Sequence, residues 1–171
     1  TLNSWISLRD CLNSLYKQSL KPDEIIVVDD GSSDKTSENI KEKFPKVKLI
    51  SLKQNTGVTG GRNVGIENVS EQSNYLLFFD HDMVADKKML ENLVTLANSD
   101  SNYGILTPKI FYWEDKNRVW AAGTNINLWT GQILFRGGRD RGQFEKVEEV
   151  QVAPAAMLVK RKVIEKVKRF D

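Results

Sequence analysis

Three short apolar runs constrain this chain more than any other feature: EIIVVDD (residues 24–30), VKLISL (47–52) and YLLFFD (75–80). Each is β-branched or aromatic, has the length of a strand rather than a helix, and reads as a strand buried on both faces. Amphipathic stretches alternate with them. Trp5, Leu8, Leu12 and Leu15 fall at helical spacing, in a helix that ends before Pro22. GSSDKTSENIKEKF offers Ser32, Ser33 or Asp34 as the cap of a helix reaching Phe44. NTGVTGGRNVGIENV opens a third helix near Thr59, and a fourth runs from about residue 86 to 97. This rhythm predicts parallel βαβ units with right-handed crossovers, hence an α/β fold.

Beyond Asn102 the rhythm changes. Short pieces (IFYW, NINLW, QILF, VEEVQVA) around Gly137-Gly138 predict a mixed or antiparallel region, followed by a last helix over residues 162–168. No linker or repeat interrupts the 171 residues, so the expectation is one domain over 1–171: a nucleotide-fold half over 1–100 and an irregular half over 101–171. The formal net charge of +2 provides no global attraction for nucleic acid, and the basic run 160–169, interrupted by Glu165, reads as a solvated helix face. Cys11, the single cysteine, excludes an internal disulfide and sits on an apolar helical stripe as a core residue. No apolar run approaches the ~18 residues of a membrane-spanning helix, and no signal peptide is visible. A cytoplasmic location is expected, with the natural N-terminus upstream of Thr1.

In open α/β sheets, ligands bind outside the carboxyl ends of the strands. Three polar features fall there: Asp29-Asp30 after the first run, residues 55–63 after the second, and Asp80-His81-Asp82 after the third. Each has a bland explanation. Asp30-Gly31-Ser32 makes a good turn, and Gly57, Gly60, Gly61 and Gly65 permit tight turns and close packing. Their joint placement carries more weight. On an extended chain Asp80 and Asp82 share one side, and His81 faces away as a structural residue. Two carboxylates suit a hard divalent cation, Mg²⁺ or Mn²⁺, completed by water and phosphate oxygens. Arg62, at the start of a helix behind a Gly-rich turn, can pair with phosphate or form a surface ion pair with Glu67.

In order and spacing these motifs resemble glycosyltransferase family 2, the inverting enzymes of GT-A fold. The family's Pro-Thr-x-Asn appears as Thr1-Leu2-Asn3, its first helix motif as LRDCLNSLYKQSLKP, and its acidic motif as VDDGSSD (28–34). NTGVTGGRNVG (55–65) matches Asn-x-Gly-x-x-x-Ala-Arg-Asn-x-Gly, with Gly61 in place of alanine. Asp80-His81-Asp82 stands as Asp-x-Asp. APAAMLVKRKVIEKVKRFD (153–171) is similar to the family's Gly-Ala-x-Met-Leu-x-Arg-Arg and Phe-Asp stretch, with Pro154-Ala155 where glycine is common. The late segment looks most like rhamnosyltransferase-like members.

The resemblance implies a mixed, mainly parallel sheet flanked by helices, here lacking the family's first strand. It implies nucleotide contacts from Thr1, Asn3, Asp29, Asp30, Arg62 and Asp80, with Asp29 on the base and Asp80 near the ribose. Asp82, with Asp80, would hold Mn²⁺ or Mg²⁺ on the diphosphate, and Ala155, Ala156 and Met157 would border the acceptor. The implied activity moves a sugar from a UDP- or dTDP-sugar to a hydroxyl of a saccharide or lipid-linked saccharide, in surface polysaccharide or glycolipid synthesis. Peripheral association at the inner membrane face goes with such acceptors. The family's catalytic base lies downstream of Phe-Asp, so it is expected beyond Asp171. Two other readings start from Asp80-x-Asp82-x-Val84 and IIVVDD: a haloacid-dehalogenase-like phosphatase with Asp80 as nucleophile, and a receiver domain phosphorylated at Asp80 with Lys109 as its lysine.

Overall fold

The computed structural model describes residues 1–171 and turns the predicted alternation into α1 (Trp5–Tyr16), β1 (Ile26–Asp29), α2 (Thr36–Lys43), β2 (Lys48–Ser51), α3 (Gly57–Glu67), β3 (Tyr75–Phe79) and α4 (Met89–Ser99). The ends shift for local reasons. Asp34 does serve α2, its Oδ1 accepting from Thr36 N at 2.9 Å, but the helix starts two residues later. Gly57, at φ +76°, lets α3 begin before Thr59. α4 begins at Met89, because Asp86 forms a turn that accepts from Lys88 N at 2.9 Å and Met89 N at 3.0 Å.

β1 and β2 pair in parallel, Val27 opposite Leu49 and Asp29 opposite Ser51. Against them pack α1 and α2, and Leu8, Leu12, Val27, Ile40, Phe44 and Val47 form one buried core. Trp5 and Tyr16 flank Phe44 at centroid distances of 6.2 and 5.8 Å.

The second sheet departs from the mainly parallel expectation. Its centre is β10 (Ala156–Lys160), antiparallel to β3 on one edge and to β4 (Ile105–Leu106) on the other. With β10 in the middle, β1–β2 is the one parallel ladder, and the two sheets share no ladder bonds. β10 reads AMLVK, and its first four residues are apolar and buried because both faces are covered there. Leu158 joins Met89, Leu90, Leu93 and Ala97 of α4 in a second core.

The expected antiparallel region is present as β5 (Ile110–Phe111), β6 (Arg118–Ala121) and β9 (Gly138–Arg139) in one sheet, and β7 (Thr124–Ile126) with β8 (Ile133–Phe135) in another. VEEVQVA is not a strand; it contributes only a bridge from Val152 to Thr124. α5 (Arg161–Val167) closes the order.

Leu158 is 2% exposed and packs between a helix and two strands, so its truncation leaves a cavity that cannot collapse. Leu158→Ala should lower unfolding free energy by about 2–5 kcal/mol in urea titrations.

Candidate functional site

The loop after β1 is held from inside. Asp29 is 2% exposed; its Oδ1 accepts from Ser32 N at 3.1 Å, and its other oxygen accepts from the Ser37 hydroxyl. Asn3 adopts φ 47° and its Oδ1 accepts from Ser33 N at 2.8 Å and Asp34 N at 3.3 Å, while its own N–H donates to Ser32 Oγ at 2.8 Å. Thr1 lies beside β1: Asp30 N donates to its carbonyl at 2.9 Å, and its hydroxyl is buried without a partner.

Asp30 ties this loop to the next. Its carboxylate accepts from Thr56 N and Thr56 Oγ1, both at 2.8 Å, and from Gly57 N at 2.9 Å. These donors form the N-terminus of α3, where a carboxylate is favoured by the orphan N–H groups and the helix dipole. Burial alone would raise the Asp30 carboxyl; the bonds from Thr56 and Gly57 reverse that and hold it below its ordinary value. Gly31 completes the junction at φ +87°, where a Cβ would meet Gln54 and Asn55 backbone at 3.1–3.3 Å.

The third loop does not run extended. Met83 N donates to Asp80 O at 3.3 Å, closing a turn over residues 80–83, so the alternation that put Asp80 and Asp82 on one side does not apply. The loop is fixed by α1. Ser14 Oγ accepts from Ala85 N at 3.0 Å. Gln18, 1% exposed and just past the end of α1, accepts from Leu90 N at 2.9 Å and donates to Asp86 O at 2.6 Å, bracing the start of α4 from a segment remote in sequence. Ala155 O anchors Asp80 N at 3.1 Å. Cys11 Sγ donates to Asp80 O at 3.8 Å. Burial first, then the charges of Asp82 and Asp80, push its thiol up to about 12, so it fills space as a neutral group. Burial lowers His81 against the opposing charges of Asp82 and Asp80.

Here Arg62 meets the acidic loop. Its Nη2 lies 3.0 Å from Asp80 Oδ1, so its partner is Asp80 and not Glu67. The Phe170 ring sits 5.8 Å from its Cζ. Asp82 is exposed and makes no hydrogen bond or ion pair. No cluster of three His, Cys, Asp or Glu side chains occurs that could hold a metal alone. Asp80 and Asp82 are hard carboxylates on one loop, donors of the kind that suit Mg²⁺ or Mn²⁺ completed by water and phosphate oxygens.

The sequence-predicted residues therefore divide. Arg62, Asp80 and Asp82 gather at one strand end. Asp29 and Asp30 turn their side chains inward, and Asn3, exposed, spends its carboxamide oxygen on the loop after β1. On the expected acceptor side, Ala156 at 0% and Met157 at 9% exposure are strand residues covered by the sheet, so neither side chain presents a surface; Ala155 remains accessible. Its φ of 54° is one that glycine adopts without strain. Ser14, Gln18, Asn63 and Phe170 lie within the resemblance motifs but carry no assigned role there, since their partners are groups far along the chain.

Residues 1–168 match the sequence profile of glycosyl transferase family 2, and the chain belongs to that family. It is 29% identical over 137 residues to the minor teichoic acid biosynthesis protein GgaA of Bacillus subtilis, covering 72% of this chain and 30% of GgaA. Its fold is that of GT-A glycosyltransferases. The S. aureus TarS structure with UDP-GlcNAc superposes with a TM-score of 0.69 at 22% identity, over 100% of this chain and 46% of that one. The Pyrobaculum calidifontis mannosyltransferase PcManGT, in complex with GDP-Man and Mn2+, gives 0.67 at 19% identity, over 100% and 45%. The chain spans less than half the length of each of these proteins.

Two stability measurements check the loop assignments. Asp30→Ala strands Thr56 N and Thr56 Oγ1 at the α3 terminus, while Gly57 N keeps its bond to Asn55 Oδ1, and should cost about 1–3 kcal/mol by denaturant titration. Ala155→Gly should leave stability unchanged or raise it by up to about 1 kcal/mol, since glycine removes the left-handed strain at some entropic cost.

Proposed function

We propose that this chain is the donor-binding part of an inverting glycosyltransferase that moves a hexosyl group from a nucleoside diphosphate to an acceptor hydroxyl. The observation that carries this reading is the Arg62–Asp80 pair at 3.0 Å with the unengaged Asp82 carboxylate on the same loop. A guanidinium and two carboxylates on one strand end form a mixed-charge seat for a diphosphate and its counter-cation.

Within that seat the roles follow from chemistry. Arg62 donates to phosphate oxygens and offsets charge as the diphosphate departs. Asp82, with the free oxygen of Asp80, would hold Mn²⁺ or Mg²⁺, which when bound supplies further neutralisation of the leaving group. Asp29, Asp30 and Asn3 act by fixing the loops that border the nucleotide, and Thr1 supports the same loop through its carbonyl, which accepts from Asp30 N at 2.9 Å. The acceptor hydroxyl attacks the opposite face of the anomeric carbon, and a general base takes its proton, inverting the configuration in one displacement. That base is expected downstream of Asp171.

Residues 1–100 supply the donor side and 101–171 the acceptor side, the latter through Ala155. A UDP- or dTDP-sugar is the proposed donor, supported by the UDP-GlcNAc carried by TarS. A saccharide or lipid-linked saccharide acceptor in surface polysaccharide or glycolipid synthesis is supported by the teichoic acid role in the name of GgaA. No helix is long and apolar enough to cross a membrane, and the proposed association with the cytoplasmic membrane face is peripheral. Family membership displaces the phosphatase and receiver readings.

Calorimetric titration of the intact protein with UDP, with and without Mn²⁺, tests this. Binding should depend on the metal, and Asp82→Ala should weaken it by roughly tenfold or more. Metal-dependent binding unchanged in that variant would sink the proposal.

A further inference from the structure

Asn63 follows Arg62 on α3, and its carboxamide is spent on the backbone of one remote residue. Nδ2 donates to Phe170 O at 3.0 Å, and Phe170 N donates to Oδ1 at 2.8 Å. The side-chain amide thus stands in for a neighbouring strand's peptide group and satisfies both polar atoms of Phe170. The chain bends sharply to reach it. After α5, Lys168 takes φ 71°, a left-handed conformation that a side chain disfavours, and Lys168 N closes onto Ile164 O at 2.6 Å.

With its backbone pinned, the Phe170 ring is held between two partners. Its edge-to-face contact with Phe78 of β3 has a centroid distance of 5.2 Å and an interplanar angle of 88°. The Arg62 guanidinium lies 5.8 Å from the same ring. Arg62 is therefore seated between an aromatic ring and the Asp80 carboxylate 3.0 Å away. A long side chain has many rotamers in water, and a two-sided seat removes most of them before a ligand arrives.

We infer that Asn63 and Phe170 form a latch whose function is to preset Arg62 for an anionic ligand, a nucleoside diphosphate, making both of them positioning residues for donor binding. This rests on the donor site proposed above. The latch joins α3, β3 and the segment after α5 at one point, so donor affinity depends on a residue from the far end of the chain that touches no ligand. A purely structural role would cost stability alike whether or not Arg62 is present; a positioning role acts through Arg62.

A double-substitution cycle on the intact protein, read as the Kd for UDP with Mn²⁺, separates the two. Asn63→Ala alone should weaken binding roughly tenfold, the size of one lost charge-assisted contact. In the Arg62→Ala background, Asn63→Ala should add no further loss. Phe170→Leu keeps an apolar group against Phe78 and both Asn63 bonds while removing the ring face, and should show a similar weakening even if Asn63→Ala folds poorly; Phe170→Tyr should retain parent affinity. Equal losses from Asn63→Ala in both backgrounds, or no effect from Phe170→Leu, would overturn the latch while leaving the donor site standing. If the unsubstituted protein binds no UDP with Mn²⁺, both fall together.

Discussion

A single carboxylate decides where this site can be. Asp30 stands at the end of β1 and accepts the first hydrogen bonds of α3 from Thr56 and Gly57. Helix start and strand end are thereby locked together, and Arg62 and Asn63 follow one turn later at fixed azimuth. The lowered Asp30 carboxyl is the electrostatic trace of the same arrangement: the helix end favours the charged form more than burial opposes it.

The loop that carries Asp80 and Asp82 is controlled from the other side, by α1. Ser14 stands near the end of α1, whose other inward residues are Leu8, Cys11 and Leu12, and Gln18 follows just past the helix. Both polar side chains are buried, and between them they satisfy Ala85 N, Leu90 N and Asp86 O. Such groups tolerate burial only when paired, so the loop has one geometry in which their bonds are made. The acidic turn thus hangs between α1 and Ala155, and the two sheets, which share no ladder, are joined through side chains at the place where the ligand groups gather.

The sequence made the helix and strand rhythm legible because period and run length are local signals. VDDGSSD and NTGVTGGRNVG likewise pointed to loops that meet at one sheet edge, Asp30 binding Thr56 and Gly57 and Arg62 pairing Asp80. The directions of the side chains were not legible. Asp29 and Asp30 are acidic residues at a strand end in either case; whether they face a ligand or a neighbouring loop depends on Ser37, Thr56 and Gly57, which arrive from other elements. Asp80-His81-Asp82 read as extended because the turn at Met83 has no composition signal. AMLVK resembled a motif near the acceptor, while its physical role, a strand covered on both faces, follows from neighbours distant in sequence.

That strand also sets the order in which the molecule can assemble. β1, α2 and β2 are consecutive and close short loops, so their core can form early. β10 pairs residues as remote as Tyr75 and Lys160, and that contact must wait for a long loop to close. Until it forms, YLLFF is an apolar strand with an open edge, the kind of segment that associates with other chains. On the ribosome, β3 emerges well before β10, and its edge stays exposed for the time needed to synthesise everything between them.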